Sequence, residues 1–172
     1  GDHRDLHLSL RRQRQMCIRD SLKDLRQNLK KMHLAVTEDL HAPTKDNINL
    51  SYANGKVNGK KIAVLNGSNA DELLVVARES GGESDADGIS IFLVNPSTQG
   101  ITIRPFTNID GQKSSEIDFN EVTVASSTRL GEKGKALAAI ERVTDKAIVG
   151  ISAEAVGVLE TLLQKTVELE KE

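Results

Sequence analysis

Between Asn54 and Leu130 the chain repeats one pattern: a short run rich in β-branched and apolar residues, followed by a group of turn residues. The turn signals include Asn54-Gly55 and Asn58-Gly59, because asparagine and glycine tolerate positive φ. Strands at this spacing, with no helical segment between them, are typical of an antiparallel sandwich or barrel rather than of βαβ units. We therefore predict two small packed sheets with strands at Ile48–Ala53, Lys61–Asn66, Glu72–Arg78, Ile89–Val94, Ile101–Phe106 and Glu116–Val124.

The pattern changes after Gly131, where apolar residues recur every three or four positions and predict one long helix from Lys133 to Lys171. A short N-terminal helix is predicted from Ser21 to Met32 by the same spacing. The predicted fold class is therefore α+β: a short helix, a small antiparallel two-sheet β domain and one long α-helix. The long helix has more apolar face than a small β domain can cover, so we expect further helices, from a longer chain or from a partner.

Composition excludes several classes of function. The net charge of -2 over 172 residues gives no electrostatic basis for binding nucleic acid. No apolar stretch approaches the roughly 20 residues that span a bilayer, so we predict a protein without a membrane segment. Cys17 is the only cysteine, which excludes an internal disulfide and a cysteine-based zinc site and fits a reducing compartment, here the cytoplasm.

The chain carries no self-sufficient catalytic or metal-binding motif. It lacks a nucleophile elbow, a P-loop and a dinucleotide-binding fingerprint. His33 and His41, beside a loop that contains proline, do not have a spacing that supports a metal site. We therefore assign no catalytic residue and no metal ligand.

Residues 1–21 are basic and too polar for a secretory signal. They end in Met16-Cys17-Ile18-Arg19-Asp20-Ser21, which looks like a translated transposon end from the preparation of sequencing libraries. We predict that this segment is an artefact of the kind found in metagenomic sequences. The alternative is a disordered basic arm.

Two segments carry a family resemblance. The first, Leu34 to Glu38, is similar to a hydrophobic-x-hydrophobic-Thr-Glu-Pro motif, with Asp39 in place of the proline. The second, Gly59 to Gly67, is similar to Gly-x-Lys-x-Trp-h-Thr-Asn-Gly, where h is hydrophobic. The segments Asp110 to Val124 and Leu130 to Gly134 resemble later motifs of the same family. From about Leu34 to Glu168 the chain thus resembles the acyl-CoA dehydrogenases, which are flavin-dependent enzymes with a middle β domain.

The resemblance implies which residues would contact FAD. Those in the first segment would act through the backbone and the threonine hydroxyl, and the full set is Leu34, Ala35, Val36, Thr37, Ala63, Val64 and Leu65. Ala63 replaces a tryptophan that covers the flavin, and Leu65 replaces a threonine or serine near its N5 edge. Pro43 falls near a position, usually serine, that meets the acyl-CoA thioester. A subgroup resembling the pimeloyl-CoA dehydrogenase small subunits tolerates similar substitutions.

The resemblance also implies an incomplete catalytic apparatus. It divides the chain into the end of an N-terminal helical domain (22–33), a middle β domain (34–130) and the first helix of a C-terminal helical domain (131–172). The base that removes the α-proton belongs to later parts of that C-terminal domain. We therefore expect an inactive fragment of an enzyme of fatty acid metabolism that performs α,β-dehydrogenation of an acyl-CoA thioester with FAD.

The expected partners follow from the same resemblance. They are the acyl-CoA substrate, an electron-transferring flavoprotein that reoxidises the flavin of the parent enzyme, and further subunits of a homo- or hetero-oligomer. The departures at Asp39, Ala63 and Leu65 leave a second reading open, namely a non-catalytic subunit or binding module derived from the same family. A third reading, an unrelated β-sandwich interaction module with a helical stalk, requires the succession of motifs to be a coincidence.

Overall fold

The computed structural model describes residues 30–38, 48–82 and 85–169. The chain divides into two compact units, Gly1–Leu137 and Ala138–Glu172. The first unit holds a sheet of eight strands, and the second consists, within the described residues, of most of one long helix. The predicted α+β class is therefore confirmed.

Seven strands follow one hydrogen-bonded path, in the order β6-β7-β3-β2-β4-β5-β8, and β1 pairs with β4. Pairing is antiparallel except between β1 and β4 and at a single Ser51–Arg78 pair that joins β2 to β4. The strands are β1 (Met32–Ala35), β2 (Ser51–Ala53), β3 (Lys56–Leu65), β4 (Glu72–Arg78), β5 (Ile89–Val94), β6 (Ile101–Thr107), β7 (Lys113–Thr123) and β8 (Arg129–Leu130).

The hydrophobic core is shared by the two halves of the sheet that β2 joins. One half is β3, β6 and β7, and the other is β1, β4, β5 and β8. Both contribute to a single cluster of buried side chains: Ile117 and Val122 come from the first half, and Leu73 and Val75 from the second. Each fully buried aliphatic side chain of this kind stabilises the fold by about 1.5–3 kcal/mol. The strands therefore form one continuous sheet of eight strands, whose two halves share one core.

The Asn54-Gly55 turn lies where the sequence predicts it. Both residues have positive φ, 52° and 78°, and they form a two-residue hairpin between β2 and β3. This geometry is that of the turn type whose twist matches the twist of the flanking strands. The dipeptide therefore determines the register of the first hairpin.

The second predicted turn, at Asn58-Gly59, is wrong, because these residues lie inside β3. The register between β3 and β7 shifts between Val57 and Gly59, and the bulge places an extra residue in β7. Gly59 has φ 137°, and a Cβ atom there would lie 3.0 Å from the Cα atom of Leu50. A glycine is needed at position 59 because the backbone of Leu50 lies close to it, and not because the chain reverses direction there.

Other strand bounds agree with the sequence more closely. β4 and β5 have the predicted bounds. β2 is shorter than predicted because the chain before it bonds elsewhere: the Asn49 amide donates to the Glu38 carboxylate at 2.7 Å, and the Leu50 carbonyl accepts from the Arg78 amide at 2.8 Å. The predicted N-terminal helix lies outside the described residues apart from its last positions, of which Met32 begins β1.

A polar cluster inside the sheet precedes the helix. The Glu79 carboxylate, whose side chain is 3% exposed, accepts hydrogen bonds from Arg129 Nη2 at 2.6 Å and from Ser90 Oγ at 2.5 Å. Ser90 Oγ in turn accepts from the Gly134 amide at 2.9 Å. Buried polar groups must find such partners to avoid a large desolvation cost. The cluster therefore fixes the segment that leads from β8 towards the helix.

The helix α1 spans Leu137–Leu169, which is 33 residues. It corrects one expectation, because an 18-residue window in it has a mean hydropathy of 1.4 and at most 2 charged residues. By length and composition this helix could cross a membrane, so the expectation that no stretch approaches that length is wrong. Core helices of soluble proteins satisfy the same criteria. The length and hydropathy of α1 therefore do not decide between a membrane-spanning helix and the core helix of a soluble protein.

We predict that Gly59→Ala destabilises the β unit by about 2 kcal/mol, because the new Cβ meets the Leu50 backbone in a conformation that side chains rarely adopt. The measurement is the free energy of unfolding from chemical denaturation. The matched control is Gly150→Ala in α1, where a Cβ would meet nothing within 4 Å and should stabilise the helix by up to about 1 kcal/mol. Equal effects of the two substitutions would contradict the bulge argument.

Candidate functional site

The two segments that resemble flavin-contacting motifs lie side by side. We call residues 34–37 and 63–65 together the β1–β3 wall. The Ile62 amide donates to the Thr37 carbonyl oxygen with an N–O distance of 2.8 Å. At the other end, Asn66 Nδ2 lies 3.5 Å from His33 Nε2. These contacts bring together residues that are far apart in the chain.

The wall residues face two ways. The side chains of Ala35 and Val64 lie in the core, with 0% and 2% exposed. Leu34 and Leu65 point outwards and are 40% and 57% exposed. The remaining wall residues are half-buried: Val36, Thr37 and Ala63. Ala35 and Val64 can therefore offer a ligand only their backbone groups, whereas the others can also offer side chains.

A β-bulge shapes the second segment. Lys61 pairs with Ile117 and Val64 with Ser115, so three steps along β3 match two along β7. Ala63 lies in this bulge with φ 51°, in the left-handed region. A residue other than glycine there costs roughly 1–2 kcal/mol. Bulges often redirect a side chain next to a functional site, and this strained backbone lies in the segment that resembles a flavin-contacting motif.

Behind the wall lies a buried ion pair. The side chain of Lys61 is 0% exposed and that of Glu38 is 11% exposed, with 2.5 Å between Lys61 Nζ and Glu38 Oε1. Lys61 Nζ also donates to the Val36 carbonyl oxygen at 3.0 Å. The ammonium group therefore contacts the first wall segment directly from the protein interior.

The Glu38 carboxylate has backbone partners as well. Its Oε2 atom accepts from the Asn49 amide at 2.7 Å, and its Oε1 atom accepts from the Leu50 amide at 3.0 Å. Charge-assisted bonds of this kind are stronger than those between neutral groups. Glu38 thus connects the chain after β1 to the chain before β2, and Lys61 supplies the opposite charge.

Burial changes the pKa values of two groups at this site. Desolvation lowers the pKa of Lys61 to about 8, although the charge of Glu38 and its hydrogen bond act in the opposite direction. Desolvation, with the nearby charge of Lys31, also lowers the pKa of His33 below its ordinary value. Asp71 and a hydrogen bond with the Leu65 backbone oppose that shift. His33 therefore joins the two wall segments mainly as a neutral ring at neutral pH.

The wall fits one face of a flat, mostly apolar ring. Leu34 and Leu65 supply exposed apolar surface, and the half-buried Thr37 carries a hydroxyl group. The chain has 3 phenylalanines, 1 tyrosine and no tryptophan, and none of them lies in the wall, so no aromatic ring of these segments can stack on a cofactor. FAD is therefore compatible with this surface through apolar contact and backbone hydrogen bonds.

Other sequence-based assignments have different outcomes. Pro43, the position expected near substrate, lies outside the described residues. Within the part of the chain that the structure describes, no group of three His, Cys, Asp or Glu side chains could hold a metal ion.

Sequence reasoning did not single out Lys61, Glu38 or His33 as parts of the site. The first two stand inside the recognised motifs, but nothing in the sequence indicates that both are buried.

Comparison with known proteins identifies related chains. Residues 35–122 match the model of the acyl-CoA dehydrogenase middle domain. Residues 11–54 match a second model, of a family of unknown function. The short-chain specific acyl-CoA dehydrogenase of Megasphaera elsdenii is 30% identical over 119 residues, which are 67% of this chain and 31% of the relative.

Solved structures agree on the fold. The butyryl-CoA dehydrogenase of Megasphaera elsdenii superposes with a TM-score of 0.60 at 24% identity, over 67% of this chain and 32% of that chain. The FAD complex of PigA superposes with a TM-score of 0.55 at 25% identity, over 63% of this chain and 30% of that chain. The chain thus spans less than a third of the length of each of these three proteins.

The pKa of Lys61 predicts a dependence of stability on pH. Between pH 8 and 10.5 the folded chain has released the Lys61 proton, whereas the unfolded chain, with the ordinary value of 10.5, still holds it. Because the unfolded state binds more protons in this window, stability rises with pH there, by on the order of 3 kcal/mol from this group. We expect the free energy of unfolding of wild type, minus that of Lys61→Met, to increase from pH 8 to 10.5.

The Lys61→Met reference removes the contribution of all other groups that titrate in the same window, because both chains contain them. Urea denaturation at intervals of pH measures the difference. A difference that stays constant between pH 8 and 10.5 would show that the Lys61 ammonium keeps its ordinary pKa, and would contradict the claim that desolvation outweighs the ion pair with Glu38.

Proposed function

This chain belongs to the acyl-CoA dehydrogenase family, and on that premise we propose that it is a segment of an FAD-dependent enzyme that dehydrogenates the Cα–Cβ bond of an acyl-CoA thioester. The observation that carries the proposal is the β1–β3 wall, where two segments with family motifs meet and expose Leu34 and Leu65. One matched structure is an FAD complex, which supports the choice of cofactor.

The residues of the wall have a binding and orienting role in this proposal. When bound, FAD supplies the acceptor for the hydride that leaves the β-carbon. Leu34 and Leu65 exclude water from one side of the ring, and the Thr37 hydroxyl and backbone groups bind its polar edge. The bulge at Ala63 brings the second segment to the ring with a small side chain, so contact there is through the backbone.

We further propose that the 172-residue chain is inactive alone. Removal of an α-proton needs a free carboxylate near the thioester. The Glu38 carboxylate, next to the wall, is bound to Lys61 and to two backbone amides. Glu116, a half-exposed residue of β7, is paired with Lys60 and Arg104. Neither of these two carboxylates is free to act as a base, which supports the proposal that the 172-residue chain is inactive alone.

A second function has specific support. The alanine at position 63 and the leucine at position 65 replace a tryptophan and a hydroxyl-bearing residue of the family motif, which weakens contact with the flavin. These substitutions favour a non-catalytic subunit or binding module within a hetero-oligomer. Assay of the full-length gene product distinguishes the two readings, because the enzyme turns over acyl-CoA whereas the non-catalytic subunit does not.

We propose that α1 packs against helices of the same enzyme, in its own chain or in a second subunit, and that the enzyme works in the cytoplasm. Charged residues lie near both ends of the helix and also within it, at Glu154 and Glu160. Carboxylates at such central positions are costly in a bilayer. Acyl-CoA and an electron-transferring flavoprotein are the remaining partners of the proposed enzyme.

A titration of FAD tests the proposed site. We expect the purified chain to bind FAD weakly and Leu65→Asp to weaken binding by at least about tenfold, which corresponds to about 1.4 kcal/mol, because it places a carboxylate against the ring. Quenching of flavin fluorescence measures the dissociation constant. The control is Ile109→Asp, at a fully exposed position of the β6–β7 connection, and we expect it to bind like wild type.

A dye-reduction assay with acyl-CoA accompanies the titration. We expect no turnover by the 172-residue chain, and measurable turnover would contradict the claim that it is inactive alone. Equal affinity of wild type and Leu65→Asp, or no binding by wild type, would contradict the assignment of the wall to FAD.

A further inference from the structure

We propose that Lys61 is a positioning residue for the flavin-contacting segment, and that its buried ammonium group holds Val36 and Thr37 in the conformation presented to the cofactor. The inference rests on the proposed flavin site and adds to it a residue that is itself inaccessible to any ligand, with 0% of its side chain exposed. Lys61 therefore acts on the cofactor only through the backbone of Val36 and Thr37.

Adjacent residues of β3 bind adjacent carbonyl groups of the wall. Lys61 Nζ donates to the Val36 carbonyl at 3.0 Å, and the Ile62 amide donates to the Thr37 carbonyl at 2.8 Å. A peptide unit is planar, and its N–H points opposite to its C=O. The bond to Lys61 therefore turns the Val36 carbonyl inwards and the Thr37 N–H away from the ammonium group.

A lysine is suited to this position because its long side chain carries a donor into the protein interior. A buried carbonyl that has no donor costs free energy comparable to a lost hydrogen bond. The Val36 carbonyl has such a donor in Lys61, and Glu38 balances the charge of that donor. The same carboxylate accepts the Asn49 and Leu50 amides. The Glu38 carboxylate therefore holds the chain before β2, and its ion pair with Lys61 holds the chain after β1.

A double substitution separates this role from general stability. Lys61→Met with Glu38→Gln removes both charges at similar volume, and replacement of a buried ion pair by neutral groups is often neutral for folding. The introduced glutamine keeps an oxygen for the Asn49 and Leu50 amides, but the introduced methionine cannot donate to the Val36 carbonyl. We therefore expect nearly wild-type unfolding together with a loosened wall segment.

Hydrogen exchange of the Ile62 amide measures this loosening, because that amide is bonded to the Thr37 carbonyl. We expect it to exchange about tenfold faster in the double variant, while amides of the β4–β5 ladder keep their wild-type rates. FAD should bind about tenfold more weakly. Lys60→Met, at the exposed neighbouring position paired with Glu116, is the control and should change neither quantity.

Two results would overturn the inference. One is a double variant with the Ile62 exchange rate and the FAD affinity of wild type. The other concerns Lys61→Arg, which keeps both the charge and the donor. If its Ile62 amide exchanges as fast as in the double variant, packing rather than the donor holds the segment. If wild type binds no FAD, the proposed function fails, and the Ile62 exchange rates alone decide the role of Lys61. The Lys61→Arg comparison also decides it if the double variant does not fold.

Discussion

The buried ion pair between Lys61 and Glu38 is the interaction on which the rest of this site depends. An unpaired charge in the interior would cost several kcal/mol, so β3, the chain after β1 and the chain before β2 must meet in one arrangement. The Glu38 carboxylate reaches the Asn49 and Leu50 amides, and Lys61 reaches the Val36 carbonyl. A single pair of charges therefore connects the core of the β unit to its exposed wall.

Much of the fold was predictable from local patterns. The runs Glu72–Arg78 and Ile89–Val94 have the predicted strand bounds, because both are rich in apolar and β-branched residues and turn residues flank them. Asn58-Gly59 was not predictable, because the same dipeptide is used in turns and in bulges. The close approach to Leu50 and the shift of register between β3 and β7 show which of the two applies.

The two motifs of the site were predictable from the sequence, but which of their side chains face outwards was not. Family resemblance indicated residues 34–37 and 63–65, and alternation along a strand could have indicated that some of them face inwards. The bulge at Ala63 interrupts that alternation, so the outward direction of Leu65 does not follow from sequence. The burial of Lys61 was not predictable from the sequence for a related reason. A lysine in a strand is ordinarily exposed, and its partner lies in a different segment.

Contacts between FAD and the wall test the central claim most directly. Nuclear Overhauser effects can be measured between the ring protons of bound FAD and the methyl groups of Leu34 and Leu65 in the isotope-labelled chain. The account predicts contacts to these methyl groups and none to the methyl groups of α1. Contacts confined to α1 or to β6 and β7, or an absence of any contact at saturating FAD, would contradict it.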